Sequence, residues 1–274
     1  SVPNSVNYIN ADKNLQIEFD EALQQASATS SKTSENPATI EEVLGLSQAI
    51  YDTKNALNGE QRLATEKSKD LKLIKGLKDL NKAQLEDVTN KVNSANTLTE
   101  LSQLTQSTLE LNDKMKLLRD KLKTLVNPVK ASLNYRNADY NLKRQFNKAL
   151  KEAKGVLNKN SGTNVNINDI QHLLTQIDNA KDQLNGERRL KEHQQKSEVF
   201  IIKELDILNN AQKAAIINQI RASKDIKIIN QIVDNAIELN DAMQGLKEHV
   251  AQLTATTKDN IEYLNADEDH KLQY

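Results

Sequence analysis

The chain has 274 residues, enough for one to three ordinary domains, and its 37 Lys and Arg nearly cancel its 38 Asp and Glu. With no concentrated positive field to meet a phosphate backbone, nucleic acid is not an expected partner. With no Cys, disulfides, thiolate metal sites and cysteine nucleophiles are excluded together. Three Phe, six Tyr and no Trp are few aromatics for one large globular core, while three Pro and seven Gly leave room for long helices.

In chain order the sequence predicts helices over 7–27, 39–57, 60–80, 82–94 and 97–126, then over 134–155, 167–184, 187–208, 210–222 and 225–254. The starts are marked by side chains that can satisfy the first backbone N–H groups of a helix. Thr39 with Glu42 and Thr97 with Glu100 form capping boxes, and Asn81 with Gln84 makes a similar start, repeated as Asn209 with Gln212. Gly59 and Gly186 stand where the residue just past a helix end is expected. Leu111, Met115, Leu118, Leu122 and Leu125 lie three or four apart, as do Leu239, Met243, Leu246, Val250 and Leu253, so each set predicts one buried helix face. The polar stretches "SATSSKTSENPAT" (27–39) and "GVLNKNSGTNVNIN" (155–168) read as exposed connections. Pro128 predicts a kink or brief break near Asn127, with the helix resuming at once. No alternating strand pattern of useful length occurs.

The order of these elements repeats. "NYINADKNLQIEF" (Asn7–Phe19) returns as "NYRNADYNLKRQF" (Asn134–Phe146) and begins again as "EYLNADEDHKLQY" (Glu262–Tyr274). "ALNGEQRL" (Ala56–Leu63) returns as "QLNGERRL" (Gln183–Leu190), "LNKAQ" (Leu80–Gln84) as "LNNAQ" (Leu208–Gln212), and "LELND" (Leu109–Asp113) as "IELND" (Ile237–Asp241). The offset between Tyr8 and Tyr135 is 127, longer than the repeats of common solenoids, so each unit is a small domain or a pair of domains. Two full units and the start of a third imply a piece of a longer tandem array. No signal peptide opens the chain, and no stretch approaches the roughly 18 apolar residues that span a bilayer.

Five amphipathic helices per unit predict an all-α fold of tandem three-helix bundles, with the third helix shared between two bundles. Placed in series they make an elongated rod, each bundle roughly 25–35 Å long at about 1.5 Å rise per residue. The expected division is 1–70, 71–127, 128–197 and 198–259, with 260–274 opening a third repeat.

Four segments carry a family resemblance. "FDEALQQA" (Phe19–Ala26), "FNKALKEA" (Phe146–Ala153), "AIYDTKNALNG" (Ala49–Gly59) and "IDNAKDQLNG" (Ile177–Gly186) resemble the FIVAR module of Gram-positive surface proteins. "LIKGLKDLNKAQLEDVTNKVNSANTLTEL" (Leu73–Leu101) and its copy from Ile201 to Ile229 resemble the GA module, a three-helix domain named for albumin binding. Alternation at this period resembles the giant staphylococcal extracellular-matrix-binding proteins. The resemblance implies a secreted, cell-wall-associated adhesin region that binds fibronectin and supports attachment, aggregation and biofilm formation. Albumin-binding GA modules present an aromatic at the front of the surface matching Leu85–Leu98 and Lys213–Ile226; this sequence has none there, which argues against albumin.

No catalytic constellation emerges. His172, His193, His249 and His270 include no pair at metal-binding helical spacing, and each reads as a solvated helix residue. "DEDH" (Asp267–His270) lacks the pattern of a calcium loop and reads as a charged helix face. The "NGE" glycines punctuate helices and follow no strand, so they cradle no phosphate. No cofactor, metal site or enzyme activity is expected, and the partner-binding residues are not specified. Tyr8, Tyr135 and Tyr263 have two readings: anchors for a ligand, or packing at the junction of successive bundles. Their repetition at each boundary favours the junction. The expected molecule is a monomer that holds fibronectin or another host matrix protein weakly per repeat and strongly by multivalency. The alternatives are a serum-protein binding module for albumin or immunoglobulin, and a purely structural spacer.

Overall fold

The computed structural model describes residues 1–32 and 36–273. Within them every regular element is helical. A 3₁₀ turn at Val2–Asn4 precedes α1 (Val6–Ile9), α2 (Lys13–Ser30), α3 (Ile40–Ala56), α4 (Gly59–Lys75), α5 (Lys82–Ser94) and α6 (Leu98–Ala131). The second repeat follows with α7 (Leu133–Arg136), α8 (Tyr140–Val156), α9 (Ile167–Asp182), α10 (Gly186–Glu204), α11 (Asn210–Ala222) and α12 (Ile226–Thr257). Last come α13 (Ile261–Leu264) and α14 (Glu268–Gln273). The expected connection at 27–39 includes Thr33, Ser34 and Glu35, and the third phrase ends on Tyr274; these four lie outside the described residues.

The capping signals act where the sequence places them. Thr39 Oγ1 accepts from Glu42 N at 3.1 Å and Glu42 Oε2 from Thr39 N at 3.0 Å. Asn81 with Gln84 and Asn209 with Gln212 close the same reciprocal pair. Thr97 caps Glu100 N at 3.1 Å, but the Glu100 carboxylate turns to Asn96 N instead of completing the box.

Four expectations change, and one is the second apolar stripe: Leu239, Leu246, Val250 and Leu253 are exposed rather than buried, because among the described residues no apolar face is packed over them. The first predicted helix of each repeat is two helices, because Asp12 takes an extended conformation (φ −60°, ψ 143°) and α2 starts afresh after it. The long helix runs through Asn127 and Pro128 to Ala131 without the expected break. Proline removes only one ladder hydrogen bond, and the interruption falls instead at Ser132, whose hydroxyl accepts from Tyr135 N at 3.1 Å to start α7. Gly59 and Gly186 are the first residues of α4 and α10 rather than residues past a helix end, and neither has positive φ. A Cβ at Gly59 would lie 2.7 Å from Ala11 N, and one at Gly186 would lie 2.6 Å from Ala138 N. Glycine is there so that two backbones can approach.

By contacts the chain divides into two compact units, 1–123 with 149–177 and 124–148 with 178–274. In the first, Phe19, Leu57 and Ala11 are buried where α2 and α3 meet α1, with Tyr8, Leu23 and Ile50 packed around them. A second core joins Leu63 and Ile74 of α4 to Val88 and Val92 of α5, Ala95, and Leu101 of α6. Both ends of α4 thus serve the bundle with α5 and α6, although its front also touches α1. In the second unit, Leu190, Ile201, Ile216, Ile220, Ile229 and Ala236 bring α10, α11 and α12 together in the same way.

Candidate functional site

The repeated phrases converge on one polar knot per repeat. Buried Asn10 donates from Nδ2 to Val6 O and Asn96 O, both at 2.9 Å, and its Oδ1 accepts from Leu98 N at 2.8 Å. One side chain therefore ties the end of α1 to the turn between α5 and α6. Asn58 and Asp12 exchange two hydrogen bonds, while Arg62 reaches Asn10 O at 2.6 Å and the Asp12 carboxylate at 3.2 Å. The second repeat rebuilds the knot: Asn137 bonds Lys224 O and Ile226 N, Asn185 pairs with Asp139, and Arg189 bonds Asn137 O and Asp139. "N-A-D" and "L-N-G-E-x-R" are thus two halves of one joint.

Tyr8 lies edge-on to Phe19 with centroids 6.0 Å apart, and Tyr135 meets Phe146 likewise at 5.9 Å. The Tyr8 hydroxyl donates to Asp20 at 2.7 Å, a bond that with burial holds its pKa above the ordinary value. Tyr8 and Tyr135 therefore pack within their repeats beside the joint. The aromatics that face solvent are instead Tyr51 on α3 and Tyr140 at the start of α8, which sequence periodicity did not single out.

A second joint links the first α4–α6 bundle to the α8–α9 connection. Asn81 and Gln84 are fully buried, and beyond capping α5 they serve a neighbouring segment. Asn81 Nδ2 donates to Val156 O at 3.0 Å and Thr163 O at 2.9 Å, and Gln84 Nε2 donates to Val165 O at 3.0 Å. Lys82 N bonds Lys159 O at 2.8 Å, and Lys159 Nζ reaches the carbonyls of Lys78 and Leu80. Burial, and then the nearby positive charge of Arg119, push the Lys159 pKa down. Gly162 is required in this segment, since a Cβ there would lie 2.6 Å from Asn81 Nδ2. On the other flank of α5 a cleft of about 540 Å³ opens between α5, α6 and residues 164–168. On it Asp87 pairs with Lys91 at 2.7 Å and bonds Asn164, which lowers its pKa. The α5 surface matching the albumin-binding face of GA modules is therefore flanked on both sides by the next connection.

The remaining candidates stay apart. His172, His249 and His270 are exposed on separate helices, and His193 Nε2 lies 2.6 Å from Asn230 Oδ1. Among the described residues no three His, Asp or Glu are placed to hold a metal ion, and no helix is long and apolar enough to cross a membrane.

A FIVAR domain model matches residues 1–58, 114–185 and 242–274, and a GA module model matches 60–114 and 187–242. This chain belongs to the FIVAR and GA-module repeat family. It is 32% identical over 270 residues, 98% of its length, to the extracellular matrix-binding protein EbhA of Staphylococcus aureus strain Mu3. It is 30% identical over the same share to EbhA of strain Newman. The chain spans about 4% of the first relative and 8% of the second. A crystal structure of EbhA residues 756–1003 shares the fold, with a TM-score of 0.74 at 23% identity, covering 86% of this chain and 95% of that one. The matched ranges explain the long helices of the FIVAR and GA repeats. The GA module takes α4, α5 and the front of α6, and the next FIVAR domain takes the rest of α6 with α8 and α9.

Proposed function

We propose that this chain is a non-enzymatic repeat region of a bacterial surface adhesin that binds host extracellular matrix, with fibronectin as the partner. The observation that carries the reading is 32% identity across 98% of the chain to an extracellular matrix-binding protein, with FIVAR and GA modules in alternation. On this reading the region acts outside the cell, at its surface, and supports attachment, aggregation and biofilm formation. Joints built from Asn10 and Asn81 suit it, because they fix successive helices against one another and hold a module at a set position along the chain. Binding per repeat is weak: exposed aromatic anchors are confined to Tyr51 and Tyr140 among the described residues, and hot spots draw on such side chains. Tandem copies raise the effective concentration of each next contact.

The test compares chains of one, two and more repeats against fibronectin on a surface and in solution, with albumin and immunoglobulin in parallel. Retention on surface fibronectin that climbs steeply with repeat number is the expected result. Albumin or immunoglobulin capture without fibronectin capture would replace this reading with a serum-protein binder. No capture by any of the three would leave a spacer.

A further inference from the structure

The dipeptide Asn-Gly occurs twice in the chain, at Asn58–Gly59 and Asn185–Gly186, and both copies sit in the polar joint. This pairing has a chemistry of its own. The backbone nitrogen of the residue after an asparagine can attack the side-chain amide carbon, and glycine, with no Cβ in the way, leaves that nitrogen most accessible. A bond forms from the glycine nitrogen to Cγ, the Cγ–Nδ2 bond breaks and ammonia departs, leaving a cyclic imide. Water then opens the imide at either carbonyl, to aspartate or to isoaspartate.

The joint holds both sites away from this reaction. Asn185 Oδ1 accepts from Asp139 N at 3.1 Å while its Nδ2 donates to the Asp139 carboxylate at 2.5 Å. Asp12 clasps Asn58 through the same two bonds, at 3.0 and 2.7 Å. The imide ring requires the glycine nitrogen to swing to the Cβ side of the asparagine. A ψ of 13° at Asn58 and 15° at Asn185 keeps it well away. The swing is hindered, because Asn7 O and Ala11 N stand where a Cβ of Gly59 would be, and Asn134 O and Ala138 N do so at Gly186. The reaction therefore needs the joint to open first.

We propose that Asn58 and Asn185 are deamidation sites, guarded by the closed joint and released when it opens, so that a joint opened for long enough does not reclose. An aspartate at either position still accepts from the backbone of Asp12 or Asp139. It has lost its donor, however, and it sets one carboxylate against another. Isoaspartate also lengthens the main chain where glycine brings two backbones together. The repeated joint is thus a latch that chemistry turns one way.

Peptide mapping by mass spectrometry after incubation at mildly alkaline pH reads each site separately, with circular dichroism to verify folding. Both asparagines should convert readily in urea and far more slowly in the folded chain. Asp12→Ala removes the clasp from Asn58 alone. It should speed conversion there by about tenfold or more, the factor expected on losing a hydrogen bond to a charged group, while Asn185 in the same molecule keeps its native rate. Asp139→Ala should reverse the pattern. Asn58→Asp and Asn185→Asp, which imitate the simplest product, should each lower the denaturation midpoint. Folded-chain rates equal to those in urea, no acceleration at the unclasped site, equal acceleration at both sites, or product-mimicking variants as stable as the native chain would each overturn the proposal.

Discussion

The back halves of α6 and α12 carry nearly the same stripe, 128 positions apart, and the fold treats them in opposite ways. Leu118 is fully buried, whereas its counterpart Leu246 is more than half exposed. Helical spacing states that a face is apolar; it does not state that a partner is present to cover it. The 114–185 FIVAR match joins the back of α6 to α8 and α9, whereas the 242–274 match takes in the back of α12 with α13 and α14. The joint at the start of the fourth major helix teaches the same lesson. Asn81 is buried under the 156–165 segment, and Asn209, with the same cap and the same box, is exposed.

The largest expected effect sets the two stripes against each other. Leu118→Ala leaves a cavity in a closed core and should cost about 2–5 kcal/mol, while Leu246→Ala should stay within about 0.5 kcal/mol. Chemical denaturation of both variants reads the difference, and equal losses would mean that the two faces are packed alike. Next comes the polar joint. Asn209→Ala removes a helix cap worth about 1 kcal/mol. Asn81→Ala removes the same cap and also strips a donor from the carbonyls of Val156 and Thr163, for a total of about 2–3 kcal/mol. Equal costs at the two positions would show that the bonds to Val156 and Thr163 add nothing.

The glycines should break the contrast rather than sharpen it. Gly59 and Gly186 meet their backbone neighbours in the same way, so Gly59→Ala and Gly186→Ala should each destabilise by about 1–3 kcal/mol. A large effect in only one repeat would mean that the two joints are not equivalent. The smallest effect belongs to the ion pair of the second repeat. Arg221 holds Glu198 at 2.6 Å and, chiefly through that hydrogen bond, depresses its pKa below the ordinary 4.5. A lowered carboxylate contributes stability above its unfolded value and loses it as pH falls through the folded one. Glu198→Gln should therefore cost a little stability at neutral pH, match the native chain in acid, and so slightly flatten the acid side of the stability profile. An unaltered acid limb would assign that pair no stabilising role.

Much of this architecture was legible in the residues. Capping boxes at Thr39, Asn81 and Asn209 read correctly because a cap is a local contest for backbone N–H groups within one turn. The repeat and the FIVAR and GA alternation were legible because they are matters of order along the chain. The joints were harder. Asn10 binds Asn96 and Leu98 across more than eighty positions, so nothing in "NYINAD" alone states its partner. Gly59 was readable as punctuation but not as a contact, since a missing Cβ matters only against a backbone brought close by folding. Proline gave a local warning at Pro128, yet α6 continues to Ala131 and ends at the next serine cap.

By itself the sequence determined that this protein is helical, where nearly every helix starts, and that two apolar stripes recur in matched registers. Those properties follow from interactions within a few residues and from covalent order. Only the tertiary structure decided which stripe is core and which is surface, and which distant backbones Asn10 and Asn81 bind. Burial is a property of pairs of surfaces, and a helix face holds only one member of the pair.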